Sequence, residues 1–502
     1  MARTSRRATV PPDIDYAPPP SDLTGAVVSG VYWKAATRGV SLATRVATVI
    51  VLARLLTPTE YGVAGMAIVV ASFAALLTDP ALGAALVQRP AIDERDRSTV
   101  FWLAAGIGGL LTVLGVAASP LVADFFGEPE VRDLFAVASV CFVVIGLSVA
   151  HRALLLRRLA YRSLEIREML SLVTGALVAV LVAVAGFGPW AVIWNFVAYS
   201  VMSTALVWLL LDWRPRPTFS VGSMRKLGAF SVKIFAATVL SWGTSNLDKV
   251  LVGRFLGASA LGAYSLAYNV PQVSLSLVSG TLSRAVSPAY SRIQDQKDRL
   301  ERAWLRNKRM SVSVVAPMLA TLVVVAPDLV QLVFGDQWTE SVTPLRLLCV
   351  AVLAQALGAL NWSVLQARGE GGAVLRLIVL TSCASVLAFA LGLTWGIVGV
   401  AACYAVARWL LVVPTTWLTT RALSFDFWAG LRAGVGIVPI AAAAALVGLG
   451  VQELVLAADL PLGARLVLVV LATVASYAAL LFVFARSLVL DVWQVVMRRG
   501  AS

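Results

Sequence analysis

Charge and histidine are what this chain has least of. Charged residues make up 14% of its 502 residues, too few to cover the surface of a soluble protein this long. The single histidine, His151, cannot build a histidine-rich metal centre and reads as a polar residue at a helix end. The four cysteines, Cys141, Cys349, Cys383 and Cys403, all lie inside apolar runs. None forms a CxxC pair or has a histidine at ligand spacing, which argues against zinc fingers, disulfide scaffolds and thiol enzymes. The phosphate-binding pattern G-x-x-x-x-G-K-[S/T] does not occur, so ATP hydrolysis by that loop is excluded. Neither a catalytic triad nor a carboxylate pair is visible. No catalytic residue, metal ligand or chemistry on a substrate is expected.

Apolar residues, by contrast, reach 59%, and the mean hydropathy is +0.85. Long apolar runs recur from residue 33 to residue 485, as in a polytopic, all-α integral membrane protein. Residues 1–29 are polar and proline-rich (PPDIDYAPPP) and read as a disordered cytoplasmic tail. A span needs about 20 apolar residues to cross roughly 30 Å of hydrocarbon. Fourteen candidates follow: 33–56, 61–79, 99–119, 132–150, 168–186, 190–211, 228–256, 261–283, 310–334, 343–365, 377–393, 397–420, 433–449 and 465–485.

Loop charges orient these spans. The net charge of +14 is explained by cations retained on the cytoplasmic side, which makes nucleic acid an unneeded partner. With the N-terminus inside, the outer connections hold eight acids and no Lys or Arg, while the inner ones hold 24 Lys and Arg. Counting Arg54, Arg132, Arg254, Arg346 and Arg465, which sit near outer ends, gives 24 against 5. Both termini are therefore expected in the cytoplasm.

The chain also repeats itself. VIVLARLLTPTEYGVAGMAI (49–68) and KVLVGRFLGASALGAYSLAY (249–268) align at an offset of 200, with Arg54 on Arg254 and Gly62 on Gly262. Later the offset becomes 208, aligning PLVADFFG (120–127) with DLVQLVFG (328–335) and Cys141 with Cys349. Six spans separate the two starts, so the halves share one orientation, an arrangement common in alternating-access transporters. The expected organisation is the tail 1–29, an N-lobe 30–227 and a C-lobe 228–423. Two extra spans and a cytoplasmic tail follow over 424–502.

Three stretches carry a family resemblance: ARLLTPTEYGVAGMA (53–67), SNLDKVLVGRFLGASALGAYSLA (245–267) and LQARGE (365–370). From about residue 30 onward the chain resembles the polysaccharide transporters of the multidrug/oligosaccharidyl-lipid/polysaccharide exporter superfamily, and among them the Wzx-type flippases. That resemblance implies a V-shaped bundle of two parallel six-helix lobes opening alternately to the two faces of a bacterial cytoplasmic membrane. It implies a cationic cavity for an undecaprenyl-pyrophosphate-linked oligosaccharide. Partners would be that glycolipid, membrane lipids, and a polysaccharide polymerase with glycosyltransferases. No cofactor is expected beyond coupling to a sodium or proton gradient.

Ionisable groups inside spans cost on the order of 2.5–3.5 kcal/mol and so tend to face cavities. Arg38 and Arg45 of the first span are seven apart and share a helix face. Lys249 lies at the 200-offset equivalent of position 49, one turn from Arg45, so the halves offer cations at similar depth. These residues and Arg408 are read as substrate-binding; for Lys249 the other reading is an internal pair with Asp248 or another acid that joins helices. Arg408 aligns with Ser200, so that charge is unique to the second half. Asp248 is an ion-coupling site or the counter-charge of Lys249. Arg54 and Arg254 read as structural intramembrane residues, and Asn195 and Gln355 as interhelical hydrogen-bonding groups. Pro271, Pro317, Pro414 and Pro439 should kink their spans.

The expected function is flipping of lipid-linked repeat units for export of exopolysaccharide, capsule or O-antigen. The alternatives are a cation-coupled multidrug exporter, a lipid II-type flippase, and, least supported, a membrane glycan polymerase or ligase. The last would need a sizeable outer loop, and the longest here is 450–464. The topology makes a direct forecast. Single cysteines at Glu128 and Arg299, in a cysteine-free background, should react with an impermeant maleimide from opposite sides of the membrane. Labelling of both from outside would refute the fourteen-span arrangement.

Overall fold

A computed structural model describes the backbone of residues 23–78, 83, 86–87, 92–458 and 460–484. The side chains of 23–36, 38, 223–237, 240, 241, 244, 279–281 and 283–285 lie outside the described set. Fifteen α-helices are described: α1 Leu23–Leu55, α2 Pro58–Thr78, α3 Glu94–Phe126, α4 Val131–Arg157, α5 Tyr161–Val184, α6 Trp190–Leu210, α7 Val221–Arg292, α8 Lys297–Leu329, α9 Val342–Gly358, α10 Asn361–Ala367, α11 Gly371–Gly392, α12 Gly396–Leu423, α13 Phe427–Val435, α14 Val438–Ala457 and α15 Leu462–Phe484. Eleven stretches among the described residues are long and apolar enough to cross a membrane. Large apolar side chains such as Leu121, Leu181 and Leu471 stand on the helix exteriors, as a lipid solvent permits. The fold is an all-helical membrane bundle.

Local chemistry sets the helix ends. Thr57 and Glu60 form a reciprocal cap: Glu60 Oε2 accepts from the Thr57 amide at 2.8 Å, and Thr57 Oγ1 accepts from the Glu60 amide at 3.3 Å. Pro58 between them opens α2 where no amide is needed. The TPTE of the sequence motif is thus a helix start. Asp93 and Asp96 cap α3 in the same reciprocal way.

The chain divides into two compact units, Met1–Gly243 and Thr244–Ser502, where the sequence reading placed the change at 227/228. In the first unit α3 packs along α4, α4 against α6, and α5 along α6. In the second, α8 packs along α9, α9 against α12, and α11 along α12. Those pairings are the same under the 208-residue offset. Gly127 ends α3 at φ 73°, and Gly335 follows α8 and a π turn (Val330–Phe334) at φ 107°. Only glycine turns left-handed there without a steric penalty. Gly188 and Gly396, also 208 apart, form a second positive-φ pair before α6 and at the start of α12. Cys141 and Cys349 are buried in both units.

Several boundaries differ from the sequence expectation. α1 begins at Leu23, inside the segment read as tail, whose first 22 residues are outside the described set. The basic connection 284–309 is mostly helix: α7 runs on to Arg292 and α8 starts at Lys297. Charge ends an apolar window but not a helix, which continues in water with its backbone bonds intact. Tyr290 there accepts from Asn307 Nδ2 at 3.0 Å, and burial pushes its phenol up to about 12, so it stays neutral. α7 holds the expected seventh and eighth spans, separated by Gly257 at φ 86°, the 200-offset partner of Thr57. Pro271, Pro317 and Pro414 lie inside helices. Pro439 does not kink one; it opens α14 after the break at Gly436. His151 is no helix-end polar group either. It is wholly buried before the last turns of α4, stacked on Trp208 at 4.4 Å with Phe101 and Trp213 around it.

The last two spans dock on their own unit. Tyr477 of α15 donates to the Ser313 carbonyl of α8 at 2.9 Å, and Arg465 pairs with Asp328. In the first unit the α3–α4 contact is backbone on backbone. A Cβ at Gly108 would strike the Phe142 carbonyl, and one at Gly146 would lie 2.5 Å from the Ala104 oxygen. Gly106 has nothing within 4 Å. Gly108→Ala should therefore destabilise the purified protein by about 1–3 kcal/mol. Gly106→Ala should be neutral or slightly stabilising, by about 0.5–1 kcal/mol, through helix propensity. Thermal unfolding in detergent measures both.

Candidate functional site

Among the described residues, each unit carries a polar cluster that includes ionisable groups singled out in the sequence. In the first unit the centre is a carboxylate, Glu168 on α5. Its Oε2 accepts from the Tyr199 hydroxyl of α6 at 2.8 Å and from Arg167 Nη2 at 3.0 Å. Arg45 of α1 reaches Oε1 at 3.4 Å. Arg45 lies ten residues before the end of α1, or about 15 Å from it at 1.5 Å per residue. Its side chain is 62% exposed, against 29% for Glu168, so the longest of the three contacts is made by the most accessible donor. Nearby, Thr37 donates to Glu165 at 3.3 Å. The side chain of Arg38 lies outside the described residues.

In the second unit the structure brings Asp248, Lys249 and Arg408 into one cluster. Asp248 is 1% exposed and accepts from the Tyr264 hydroxyl at 3.0 Å and from the Lys249 amide at 2.9 Å. The Lys249 ammonium does not close on that carboxylate. It sits over the Tyr268 ring, 5.3 Å from the centroid, and no acceptor within ion-pair reach of it is found among the described residues. The Tyr268 hydroxyl lies beside that of Tyr404 on α12. Tyr404 accepts from Arg408 Nη2 at 2.8 Å and from Gln355 Nε2 of α9 at 2.9 Å. Gln355 in turn accepts from Gln272 at 3.4 Å, an interhelical bond as expected. Phe389 stacks on Tyr404 at 4.9 Å, and the Arg408 guanidinium lies over the same ring at 4.8 Å.

Two cations are thus held by aromatic faces and neutral hydroxyls, not by carboxylates. Cation–π contact offsets part of the burial cost and leaves the positive field intact. Arg408 Nε is buried with no hydrogen-bond partner, a vacancy that usually has a functional or solvent explanation. Such an arrangement suits an anion with several oxygens, and a guanidinium fits phosphate oxygens in a planar fork. Among the described residues no group of three or more His, Cys, Asp or Glu is placed to hold a metal. Arg54 and Arg254 stand exposed, each three residues before its break, at Thr57 and Gly257.

Glu168, Tyr199, Tyr264, Tyr268 and Tyr404 were not singled out in the sequence as site residues. Glu168 sits where a span begins and reads as a boundary. The signal available was spacing: Tyr264/Tyr268 and Tyr404/Arg408 are i, i+4 pairs that share a face.

The profile of the family described as "Polysaccharide biosynthesis protein" matches residues 51–343, and the chain belongs to that family. Among curated relatives, the lipopolysaccharide biosynthesis protein WzxC of Escherichia coli (strain K12) is 28% identical over 68% of this chain and 70% of its own length. The teichuronic acid biosynthesis protein TuaB of Bacillus subtilis (strain 168) is 26% identical over 69% and 72%. The succinoglycan biosynthesis transport protein ExoT of Rhizobium meliloti (strain 1021) is 27% identical over 81% and 82%. Of solved structures, the lipid II flippase MurJ in an inward closed conformation has the same fold, with TM-score 0.75, 13% identity, and coverage of 91% of this chain and 100% of that one. An inward-facing multidrug resistance MATE family transporter of the MOP superfamily matches at TM-score 0.62 and 15% identity, over 76% and 94%.

The Tyr264–Asp248 bond is the one side-chain donor that the described residues offer this carboxylate. Tyr264→Phe should lower stability by about 1.5–3 kcal/mol, the range for bonds to charged groups, as read by thermal unfolding. Tyr268→Phe, which keeps the ring under Lys249, should cost less.

Proposed function

We propose that the protein flips undecaprenyl-pyrophosphate-linked oligosaccharide repeat units from the inner to the outer leaflet of a bacterial cytoplasmic membrane, for polysaccharide export. The observation that carries this reading is the pair Lys249 and Arg408: cations among membrane-spanning helices without carboxylate partners within ion-pair distance among the described residues. A pyrophosphate supplies the two or more negative charges that such a site lacks. Relatives named for lipopolysaccharide, teichuronic acid and succinoglycan biosynthesis support the substrate class. A cation-coupled drug exporter would want carboxylates exposed to its cargo. Asp248 is buried and Glu168 already has three donors. The protein acts as a transporter and not as an enzyme, and the bond to pyrophosphate is never broken.

On this reading the fourteen spans form two parallel six-helix lobes plus two C-terminal helices, with both termini cytoplasmic. Arg38, Arg45, Lys249 and Arg408 meet the phosphates, and Arg54 and Arg254 anchor helix ends. Asp248 serves as counter-charge to Lys249 or takes up a coupling sodium ion or proton. Glycosyltransferases supply the glycolipid and a polymerase consumes it.

Two double substitutions test the substrate role. Lys249→Ala or Arg45→Ala alone should abolish glycan export at unchanged protein level. If Lys249 only balances Asp248, then Asp248→Ala added to Lys249→Ala relieves the unpaired charge and export returns. Likewise, if Arg45 only balances Glu168, then Glu168→Gln added to Arg45→Ala restores export. The expected result is that both doubles insert normally and remain inactive. Recovery of export in either would remove that cation from the site.

A further inference from the structure

We propose that the second unit carries a binding site for an anionic glycerophospholipid of the inner leaflet, formed where α13 and α14 meet α8 and α15. The site is a cavity of about 460 Å³ with two kinds of wall. Arg309 and Arg432 line one part, and Ile440, Ala443, Leu480 and Phe484 line another. Both arginines are exposed, and neither has an acceptor among the described residues. The acid on the same short helix, Asp426, is used as its N-cap, accepting from the Trp428 amide at 2.8 Å.

The packing explains why the two guanidiniums stay together. α13 is closed against its neighbours by small residues: a Cβ at Gly430 would lie 2.9 Å from the Trp304 ring, and one at Gly434 would lie 2.6 Å from Leu357. Lys308, 2% exposed, donates to the Gly430 carbonyl at 2.9 Å and lies over the Trp304 ring at 5.1 Å. That bond ties α13 to α8 one residue away from Arg309. Arg432, two residues past Gly430, is on a different face of the helix and stays open. A fixed pair of unpaired cations above an apolar slot fits a phosphate carrying alkyl chains, and basic pockets between helices on the cytoplasmic side bind such headgroups. Three of the four helices that build it, α13, α14 and α15, lie outside the twelve-span repeat, which favours a resident bilayer lipid over the transported one. The inner-leaflet assignment rests on the orientation proposed above. The binding test below does not depend on transport, so the two readings fail separately.

Purified full-length protein in neutral detergent is titrated with phosphatidylglycerol, with phosphatidylcholine of the same chains, with undecaprenyl phosphate and with inorganic phosphate, following thermal unfolding. Phosphatidylglycerol should raise the melting temperature saturably, and phosphatidylcholine and inorganic phosphate should not. Arg309→Ala with Arg432→Ala should weaken the apparent phosphatidylglycerol affinity roughly thirtyfold. Ala443→Trp, which fills the apolar slot and keeps both arginines, should weaken it as well. If the double variant fails to fold, Ala443→Trp decides alone. Equal stabilisation by phosphatidylcholine, a parental response in the variants, or a response to inorganic phosphate alone would overturn the site. Displacement of phosphatidylglycerol by undecaprenyl phosphate at lower concentration would assign it to the polyprenyl lipid instead.

Discussion

Hydrocarbon offers no hydrogen bonds, so each polar group of a spanning helix must find its partner inside the protein. Many described hydroxyls obey this at close range. Thr44, Thr48, Thr415, Thr419 and Thr420 all return their protons to carbonyls one turn back. Acids obey it through several donors at once: Glu168 has three, and Asp328 is held by Arg465. Some buried polar atoms among the described residues are left open, and Arg408 Nε is one of them. The Lys249 ammonium has only a ring. On the proposed reading, the positive charge left open at Lys249 and Arg408 is what the anionic cargo meets.

The two units solve the problem of a mid-membrane cation differently, although they descend from one repeat. Arg45 is held by a carboxylate and Lys249 by an aromatic face. An anion approaching Arg45 must compete with Glu168, although Tyr199 and Arg167 keep that carboxylate satisfied if Arg45 leaves. An anion approaching Lys249 displaces nothing, because a ring quadrupole can be kept while the charge is shared. The difference tracks substitutions in register: Glu168 falls on Arg376 and Tyr268 on Ile68, while Arg408 stands where the first half has Ser200 and Ala407 where it has Tyr199. Internal repetition fixed the helices in pairs, and the chemistry then diverged on the second, fifth and sixth helices of each half.

The helical membrane fold was legible because bilayer thickness acts on long segments that composition reports directly. The repeat was legible as well, and its offsets of 200 and 208 recur in the pairs Gly257/Thr57 and Gly127/Gly335. Boundaries were less so. Hydropathy locates where apolar contact stops, whereas α3, α7 and α8 extend past that point as charged helix. The site was half legible. Charges in apolar runs announce themselves, hence Lys249, Asp248 and Arg408. Tyrosines do not, since a tyrosine in a membrane helix is as often an interfacial anchor as a hydrogen-bond donor. Glu168 was hidden at a span edge, and nothing in a linear sequence says that it lies against Arg45 123 residues away.

On the proposed reading, a transporter of a lipid pyrophosphate has to release what it binds, and this limits how much positive charge its site can hold. Ligands shift a conformational equilibrium only by their difference in affinity between states, so a site that gripped equally in both would bind without moving. Two bare cations in a low-dielectric setting would hold a dianion strongly whichever way the protein opened. Asp248 bears on this. Its carboxylate acts on the adjacent Lys249 without contacting the ammonium, lowering the field at the site while leaving the donors free. With that charge present, Asp248, Lys249 and Arg408 together carry one net positive charge against two or more negatives on the cargo. The remaining attraction comes from directional bonds at the guanidinium and ammonium, and those break when helices shift by an ångström or two. If the cluster is the proposed site, a small rearrangement of α7 against α12 is then enough to change affinity, which is what alternating access requires of binding residues.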